Sequence, residues 1–221
     1  MKNYSVVFIE NSDYQRFDKD KNFNLKNVVS TYFTQFKELP KRIYISFIPP
    51  VFSENSKKVY VDLVGPLLAL LILGFLLNLG HSYKHPLALA DTPPFLSLVL
   101  YATFLPSFCF ILVKLGKSNL NPMEIISILG YGLYAHIFTI MTCYLVDSES
   151  SNYLFFLSMI FFGGLSGFRI VVILLLTIPK PGARLVACSL VTIFHLLFLI
   201  FIHFVYMHKT FKYGTGIKEH G

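Results

Sequence analysis

Residues 185–207 read LVACSLVTIFHLLFLIFIHFVYM, an apolar run of 23 residues without Asp, Glu, Lys or Arg. A helix needs about 20 predominantly apolar residues to cross a hydrocarbon core about 30 Å thick. The run therefore predicts a membrane-spanning helix. A short basic connector over residues 180–184 separates it from a second, largely apolar run over residues 153–178, so the predicted spans follow one another closely.

The composition of the whole chain supports a membrane protein. Of its 221 residues, 54% are hydrophobic and only 14% are charged, against roughly 25% charged residues in a typical soluble domain. A soluble fold of this size would not enclose so much apolar side chain. Residues 1–61 hold 10 of the 19 Lys and Arg residues. A polar N-terminal region therefore precedes an apolar domain.

The apolar part predicts an all-α integral membrane protein with five transmembrane helices behind a short cytoplasmic N-terminal head. The predicted spans cover residues 63–79, 95–113, 125–146, 153–178 and 185–207. We divide the chain into a cytoplasmic region over residues 1–61, a five-span domain over residues 62–208 and a short luminal tail over residues 209–221.

The head contains one predicted amphipathic helix over about residues 25–39. Apolar side chains recur there every three or four positions, which is the spacing that lines one helix face. Asn24 is a candidate N-cap and Pro40 a candidate end of this helix. The apolar face could pack on the chain's own membrane domain, lie in the membrane interface or bind a partner.

Orientation follows from Lys and Arg near the span ends, because these residues resist translocation. With a cytoplasmic N terminus, eight lie on the cytoplasmic side and four on the other. The cytoplasmic set is Lys41, Arg42, Lys57, Lys58, Lys114, Lys117, Lys180 and Arg184, and the other is Lys84, Lys209, Lys212 and Lys218. The C terminus is then luminal or outside. Basic loops and contacts with membrane lipid also explain the net charge of +7 without a nucleic-acid partner.

One charged residue lies inside a predicted span. Arg169 follows Gly163, Gly164 and Gly167, small residues that let helices approach closely. An ionisable group at membrane depth is a candidate functional residue, and its guanidinium could bind a carbonyl, a carboxylate or a lipid phosphate. Alternatively, Arg169 reaches the cytoplasmic head groups or satisfies a neighbouring helix end. We prefer the structural role.

Three histidines also lie within predicted spans. His195 and His203 are eight residues apart, about two helical turns, and therefore share a face, while His136 belongs to span three. A metal site or a proton relay would need carboxylates, and no Asp or Glu lies in a span interior. We interpret these residues as helix-packing histidines.

No motif indicates catalysis. The sequence has no Walker-type phosphate loop, HExxH motif or paired carboxylates. Cys109, Cys143 and Cys188 lie in three different apolar runs without metal-ligand spacing. We therefore expect no enzyme activity, no cofactor and no metal. The alternative to a structural protein is a small lipid or solute transporter that uses Arg169 as an intramembrane anion site.

Two motifs at span entries resemble a known family. DLVGPL at residues 62–67 enters span one, and EIISILGYGL at residues 124–133 enters span three. With five close spans behind a head, they are similar to the Yip-domain family, the Ypt-interacting proteins of the early secretory pathway. GGLS at residues 163–166 with the following Arg169, and HLLFLIFIHFVY at residues 195–206, look like the third member of the animal YIPF branch. The resemblance covers about residues 60–208.

The entry motifs also have a physical interpretation. Asp62, at the cytoplasmic start of span one, meets the positive end of the helix dipole. Gly65 permits close packing, and Pro66 is tolerated in a first turn because its missing N–H would be unpaired anyway. Gly130 and Gly132 give span three a flat patch for a neighbouring span.

The resemblance implies a non-enzymatic multi-pass protein of the Golgi membrane, in the cis-Golgi or the ER-Golgi intermediate. Such a protein would support Golgi structure and vesicle traffic as a scaffold or adaptor. The implied partners are a Yip-family paralogue in a hetero-oligomer and Rab-type GTPases. We expect the bundle to assemble laterally through the glycine-bearing faces of spans one, three and four.

Overall fold

The computed structural model describes residues 9–10, 25–50, 59–84, 93–146 and 152–207. Within these ranges, side chains are described for residues 36–50, 59–80, 93–146 and 152–207. Asn24 and the predicted tail over residues 209–221 lie outside the described residues.

Six helices follow one another along the described part of the chain. They are α1 (Leu25–Phe47), α2 (Val64–Lys84), α3 (Pro94–Leu115), α4 (Pro122–Val146), α5 (Tyr153–Thr177) and α6 (Pro181–Met207). A π-helical turn, Met159–Gly163, interrupts α5, and a second, His203–Met207, ends α6. The predicted all-helical class is confirmed for the described residues, apart from the two-residue strands β1 (Ile9–Glu10) and β2 (Val59–Tyr60), which pair in parallel.

Four of the helices, α3 to α6, are long and apolar enough to cross a membrane. The apolar part of α2, Val64–Gly80, is shorter than these four. The described residues thus form a protein with several membrane-spanning helices, and the fifth span stays a prediction.

Three of the four long helices begin at a proline. Pro94, Pro122 and Pro181 open α3, α4 and α6, where the missing N–H of proline removes no helical hydrogen bond. Glu124 also stabilises the start of α4, because its carboxylate accepts the Asn121 N–H at 2.9 Å. These three helices therefore start one to four residues before the predicted spans, because hydropathy alone does not identify a proline as a helix start.

The prediction that the first helix ends at Pro40 is wrong. α1 continues through Pro40 to Phe47, although a proline inside a helix costs about 3 kcal/mol. The second half of α1 contacts α2, α4 and α5 and buries Leu39 and Ile45. This packing offsets the cost of the proline. Of the three surfaces considered for this helix, its second half uses the chain's own membrane domain.

α4 lies at the centre of the bundle. It contacts α1, α2, α3 and α5, and its side chains are buried around nearly the whole helix. α6 packs on α3 and α5, and its last turn contacts α2. At the end of α1, the ring centroid of Phe47 lies 5.6 Å from that of Phe138, in the second half of α4. α1 therefore runs alongside the bundle well beyond the start of α4.

Two glycines allow α2 and α4 to approach closely. A Cβ atom at Gly65 would lie 2.4 Å from the Tyr131 ring, and one at Gly130 would lie 2.4 Å from the Cβ atom of Pro66. Both distances are far below van der Waals contact between carbon atoms. The absence of side chains at these positions brings the start of α2, and Asp62 with it, against α4.

Candidate functional site

Asp62 is anchored at the start of α2 by its own backbone and by α4. Its carboxylate Oδ1 accepts the backbone N–H of Gly65 at 2.8 Å, which satisfies one of the free donors of a helix N-terminus. Its backbone N–H donates to Ser127 Oγ at 3.2 Å, and the Ser127 hydroxyl donates to the Asp62 carbonyl at 2.8 Å. The Asp62 carboxylate thus has a fixed position between two helices.

The second carboxylate oxygen of Asp62 joins α1 to this pair of helices. Oδ2 accepts a hydrogen bond from Arg42 Nη1 at 2.8 Å and another from Tyr131 Oη at 2.7 Å. Arg42 and Asp62 are 7% and 8% exposed. We call Arg42, Asp62, Ser127 and Tyr131 the Asp62 network; it connects α1, α2 and α4.

Arg42 has two further contacts that hold its guanidinium in place. Its Nη2 donates to Glu38 Oε2 at 2.8 Å, one helical turn earlier in α1. Its Cζ lies 4.9 Å from the ring centroid of Tyr60 in β2, a cation–π geometry. Burial lowers the pKa of Arg42, but the hydrogen bonds to Glu38 and Asp62 raise that pKa by more, so it lies above the ordinary value. Arg42 is therefore a permanent cation.

Arg169 donates a hydrogen bond at the C-terminal end of α1. It is 7% exposed in α5, and its Nη1 donates to the backbone carbonyl of Ile48. Ile48 directly follows the last residue of α1, where helix carbonyls lack partners within the helix and the dipole favours a cation. Among the alternatives considered for Arg169, this contact corresponds to the neighbouring helix end.

A cleft lies between these two arginines. Its lining includes Arg42, Ser46, Tyr60, Ser127, Ser166 and Arg169, and its interior measures about 30 Å³. We call it the arginine cleft. The hydroxyls of Ser46, Ser127 and Ser166 donate to backbone carbonyls. Apolar side chains such as Ile128 and Ile173 share the lining, so the cleft between α1, β2, α4 and α5 is partly polar and partly apolar.

A second polar cluster, formed by Tyr101, His136 and His195, joins α3, α4 and α6. The Tyr101 hydroxyl hydrogen-bonds to His195 Nδ1, and His136 Nε2 lies 3.1 Å from the His195 carbonyl oxygen, to which it donates. The ring centroids of the two histidines are 4.3 Å apart. Both histidines are fully buried. The cluster connects three helices through hydrogen bonds and ring contacts.

His203 lies apart from that cluster although it shares α6 with His195. Its ring stacks on Phe155 of α5 with centroids 3.7 Å apart and an interplanar angle of 6°. The two histidines of α6 therefore contact different helices. Among the described residues, no three His, Cys, Asp or Glu side chains are grouped as a metal site would require, and Cys109, Cys143 and Cys188 are buried free thiols.

The remaining candidate glycines divide into two groups. A Cβ atom at Gly132 would lie 3.0 Å from His195, and Cβ atoms at Gly163 and Gly167 would lie 3.3 and 3.4 Å from side chains of α6. Gly164 has no neighbouring atom within 4 Å of its Cβ position. Gly132, Gly163 and Gly167 thus face helices of the same chain, as Gly65 and Gly130 do, whereas Gly164 faces open space.

Three members of the site were not predicted from the sequence. Arg42 was predicted only as a charged residue outside the spans, and neither Ser127 nor the Ile48 carbonyl was predicted to make a contact. A signal for Tyr131 was present in the LGYG motif, but its partner Asp62 is 69 residues away in sequence. Such partners become visible only when the helices are packed.

One family model matches most of the chain. The model described as YIPF3 C-terminal domain matches residues 36–207. The chain belongs to the Yip-domain family. Within that family it is a YIPF3-like member, and the matched region starts inside α1 and ends with α6. It therefore includes Arg42, Asp62, Tyr131 and Arg169. No solved structure matches the chain.

Proposed function

We propose that this Yip-family protein is a non-enzymatic scaffold or adaptor of the Golgi membrane, in the cis-Golgi or the ER-Golgi intermediate. It supports Golgi structure and vesicle traffic in a complex with a Yip-family paralogue, and its head contacts Rab-type GTPases. The N terminus lies in the cytoplasm and the C terminus in the lumen. Membership in the family supports this proposal.

The observation that carries the proposal is the attachment of α1 to the bundle at two buried arginines. Arg42 connects α1 to Asp62 at the start of α2, and Arg169 of α5 donates to the carbonyl that follows α1. An adaptor must hold the partner that binds its head at a defined position relative to its membrane domain. A head helix attached to the bundle at two points meets that requirement.

The proposed topology includes α2 as a span in addition to α3–α6, which makes five; in chain order α2 is the first. Its apolar part, Val64–Gly80, falls at the lower limit of about 17 residues for a transmembrane helix. An odd number of spans places the two termini on opposite sides of the membrane. The distribution of Lys and Arg favours the cytoplasm for the N terminus.

We place the contact with the paralogue on the open face of α5. Gly164 has free space at its Cβ position, and Ile160, Phe161 and Phe168 around it are more than half exposed. These residues lie three or four positions from Gly164 and therefore share its side of the helix. A small residue within an apolar face permits close approach of a second membrane helix.

Gly164→Leu tests this contact. We expect the tagged protein to shift from a hetero-oligomer to a smaller species in size-exclusion chromatography in mild detergent, because the leucine side chain fills the space needed for close approach. Gly182→Leu is the matched control, since Gly182 also has no atom within 4 Å of its Cβ position but lies at the start of α6. An unchanged complex size for Gly164→Leu would contradict the proposed contact.

The alternative function is transport of a small lipid or solute, and the arginine cleft is the observation in its favour. Transport would require Arg169 to bind its anion during each cycle and to release the Ile48 carbonyl. Reconstituted vesicles give the test. Flux of an anionic lipid or solute that Arg169→Gln abolishes and Arg184→Gln preserves would favour the transporter over the scaffold.

A further inference from the structure

The second half of α1 runs in the same direction as α4. Arg42 and Tyr131 donate to the same carboxylate oxygen of Asp62. Further along both helices, the ring centroid of Phe47 in α1 lies 5.6 Å from that of Phe138 in α4. The two pairs are separated by about 8 Å along α1 and about 11 Å along α4. α1 therefore continues beside α4 rather than crossing it.

The end of α1 lies well inside the bundle. Phe138 is about 21 Å beyond Glu124 in the first turn of α4 and about 12 Å before Val146 at its end. The Phe47 ring also lies 6.3 Å from the ring of Phe162, in the interior of α5. Both α4 and α5 are long and apolar enough to cross a membrane. A membrane that these two helices cross would contain the end of α1 near its middle.

The side chains of α1 change in character along this path. Residues 43–50 contain no charged side chain, whereas residues 37–42 contain four: Lys37, Glu38, Lys41 and Arg42. Tyr44 is 69% exposed and points away from the bundle. Its ring is apolar, and its hydroxyl can reach toward polar head groups. A charged part followed by an uncharged part, with a tyrosine on the outer side, is the pattern of a helix that enters a membrane.

The polar groups at the end of α1 have partners, as a helix end inside a membrane requires. The Ile48 N–H donates to the Ile45 carbonyl at 3.0 Å, and the Ile48 carbonyl accepts a hydrogen bond from Arg169. The next two residues, Pro49 and Pro50, are buried and have no N–H. Residues 48–50 therefore leave the helix without an unsatisfied backbone donor.

We propose that residues 43–48 form a half-membrane anchor, whose partner is the lipid tails of a single leaflet. The anchor enters beside α4 and α5, contacts the lipid tails through Tyr44, and ends near the membrane centre, where Arg169 satisfies its last carbonyl. The proposed topology makes this the cytoplasmic leaflet. The anchor goes beyond the scaffold function, which does not require the head to enter the membrane.

Quenching of a fluorescent label by nitroxide lipids measures the depth of α1. The full chain carries one bimane label, at Tyr44→Cys or at Phe36→Cys, in phosphatidylcholine vesicles with the nitroxide on the head group or at a known depth in the acyl chain. Both side chains are more than half exposed, so the label displaces no packed group. Cys109, Cys143 and Cys188 are buried, and the unmodified chain gives their background signal.

We expect the Tyr44 label to lie about 12 Å deeper than the Phe36 label, because the two positions are eight residues apart on one inserted helix. The acyl-chain nitroxides should quench the Tyr44 label, and the head-group nitroxide should quench the Phe36 label.

A second pair of variants tests the role of Arg169 with the label at Tyr44→Cys. Arg169→Leu should move the label toward the head groups, because a helix carbonyl without a donor is unfavourable at this depth. Arg184→Leu is the matched control and should leave the depth unchanged, since Arg184 donates to the Leu175 carbonyl.

Three results would overturn the anchor. Equal depths for the Tyr44 and Phe36 labels would mean that α1 lies along the membrane surface. A Tyr44 label that no nitroxide quenches would mean that water or protein covers that face. Equal depths in Arg169→Leu and Arg184→Leu would mean that Arg169 does not hold the inserted end. The depth measurement needs no paralogue, so failure of the anchor and failure of the scaffold function are distinguishable.

Discussion

Asp62 joins three helices through its side chain. Its two carboxylate oxygens accept hydrogen bonds from the start of its own helix, from α1 and from α4. These hydrogen bonds are largely shielded from solvent, because Asp62 is only 8% exposed. Removal of one partner of a buried ion pair leaves the other partner charged and unsatisfied. The stability of the bundle should therefore depend on this single side chain.

Asp62→Ala should lower the free energy of unfolding by about 3–5 kcal/mol, because it leaves Arg42 buried without its main anion and removes a helix cap. Chemical denaturation in detergent, followed by circular dichroism, measures the change. Glu38→Gln is the control at the other partner of Arg42. Its side chain is 52% exposed, so the loss should stay below about 1 kcal/mol. Equal losses for the two variants would contradict the role assigned to Asp62.

The residues of the site differ in how far sequence alone could place them. Asp62 and Arg169 stand out because charges beside or within apolar runs are rare. Arg42 does not stand out, since it is one of ten basic residues in a polar region and its partner is 20 residues away. The Ile48 carbonyl carries no sequence signal at all, because every residue has one.

At the scale of elements, the ends of the long apolar helices could be predicted from the sequence, whereas the end of α1 could not. Apolar runs gave α3, α4, α5 and α6 to within a few residues, because lipid requires every backbone group to be satisfied within the helix. The end of α1 depended on contacts with other helices. Proline is a local signal, and the packing that opposed it at Pro40 is tertiary.

Pro40→Ala should raise stability by about 1–3 kcal/mol, because alanine restores the missing helical N–H at an exposed position within α1. Thermal unfolding of the two proteins in the same detergent measures the difference. A lower melting temperature for Pro40→Ala would contradict a continuous α1 and would favour a helix that ends at the proline.

Arg169→Leu should release the end of α1 without unfolding the bundle, since it removes the donor to the Ile48 carbonyl. Hydrogen exchange read by mass spectrometry should show about tenfold faster exchange for amides of residues 41–48, while α4 amides keep their protection. Arg184→Leu is the matched control, as Arg184 donates to the Leu175 carbonyl and contacts no residue of α1 that the structure describes. Unchanged exchange in α1 after Arg169→Leu would show that this contact does not hold the helix.

At the scale of the whole molecule, one central helix, α4, organises the others. The head helix packs against α4, the cleft with its two arginines is lined in part by α4, and the Tyr101–His136–His195 cluster joins α4 to α3 and α6. Large apolar side chains such as Phe104, Ile160 and Leu185 are more than half exposed on the outer helices, where lipid or a partner helix would cover them. The described residues therefore form a helical bundle with α1 attached to it and an apolar exterior.

The proposed scaffold function requires a complex of this Yip-family protein with a paralogue. Purification of a tagged chain at native expression in mild detergent, with mass spectrometry and sizing of the complex, tests it most directly. We expect a stoichiometric Yip-family paralogue to co-purify together with Golgi traffic components. A homo-oligomer without a paralogue, carrying bound lipid or solute, would contradict the scaffold and favour transport through the arginine cleft.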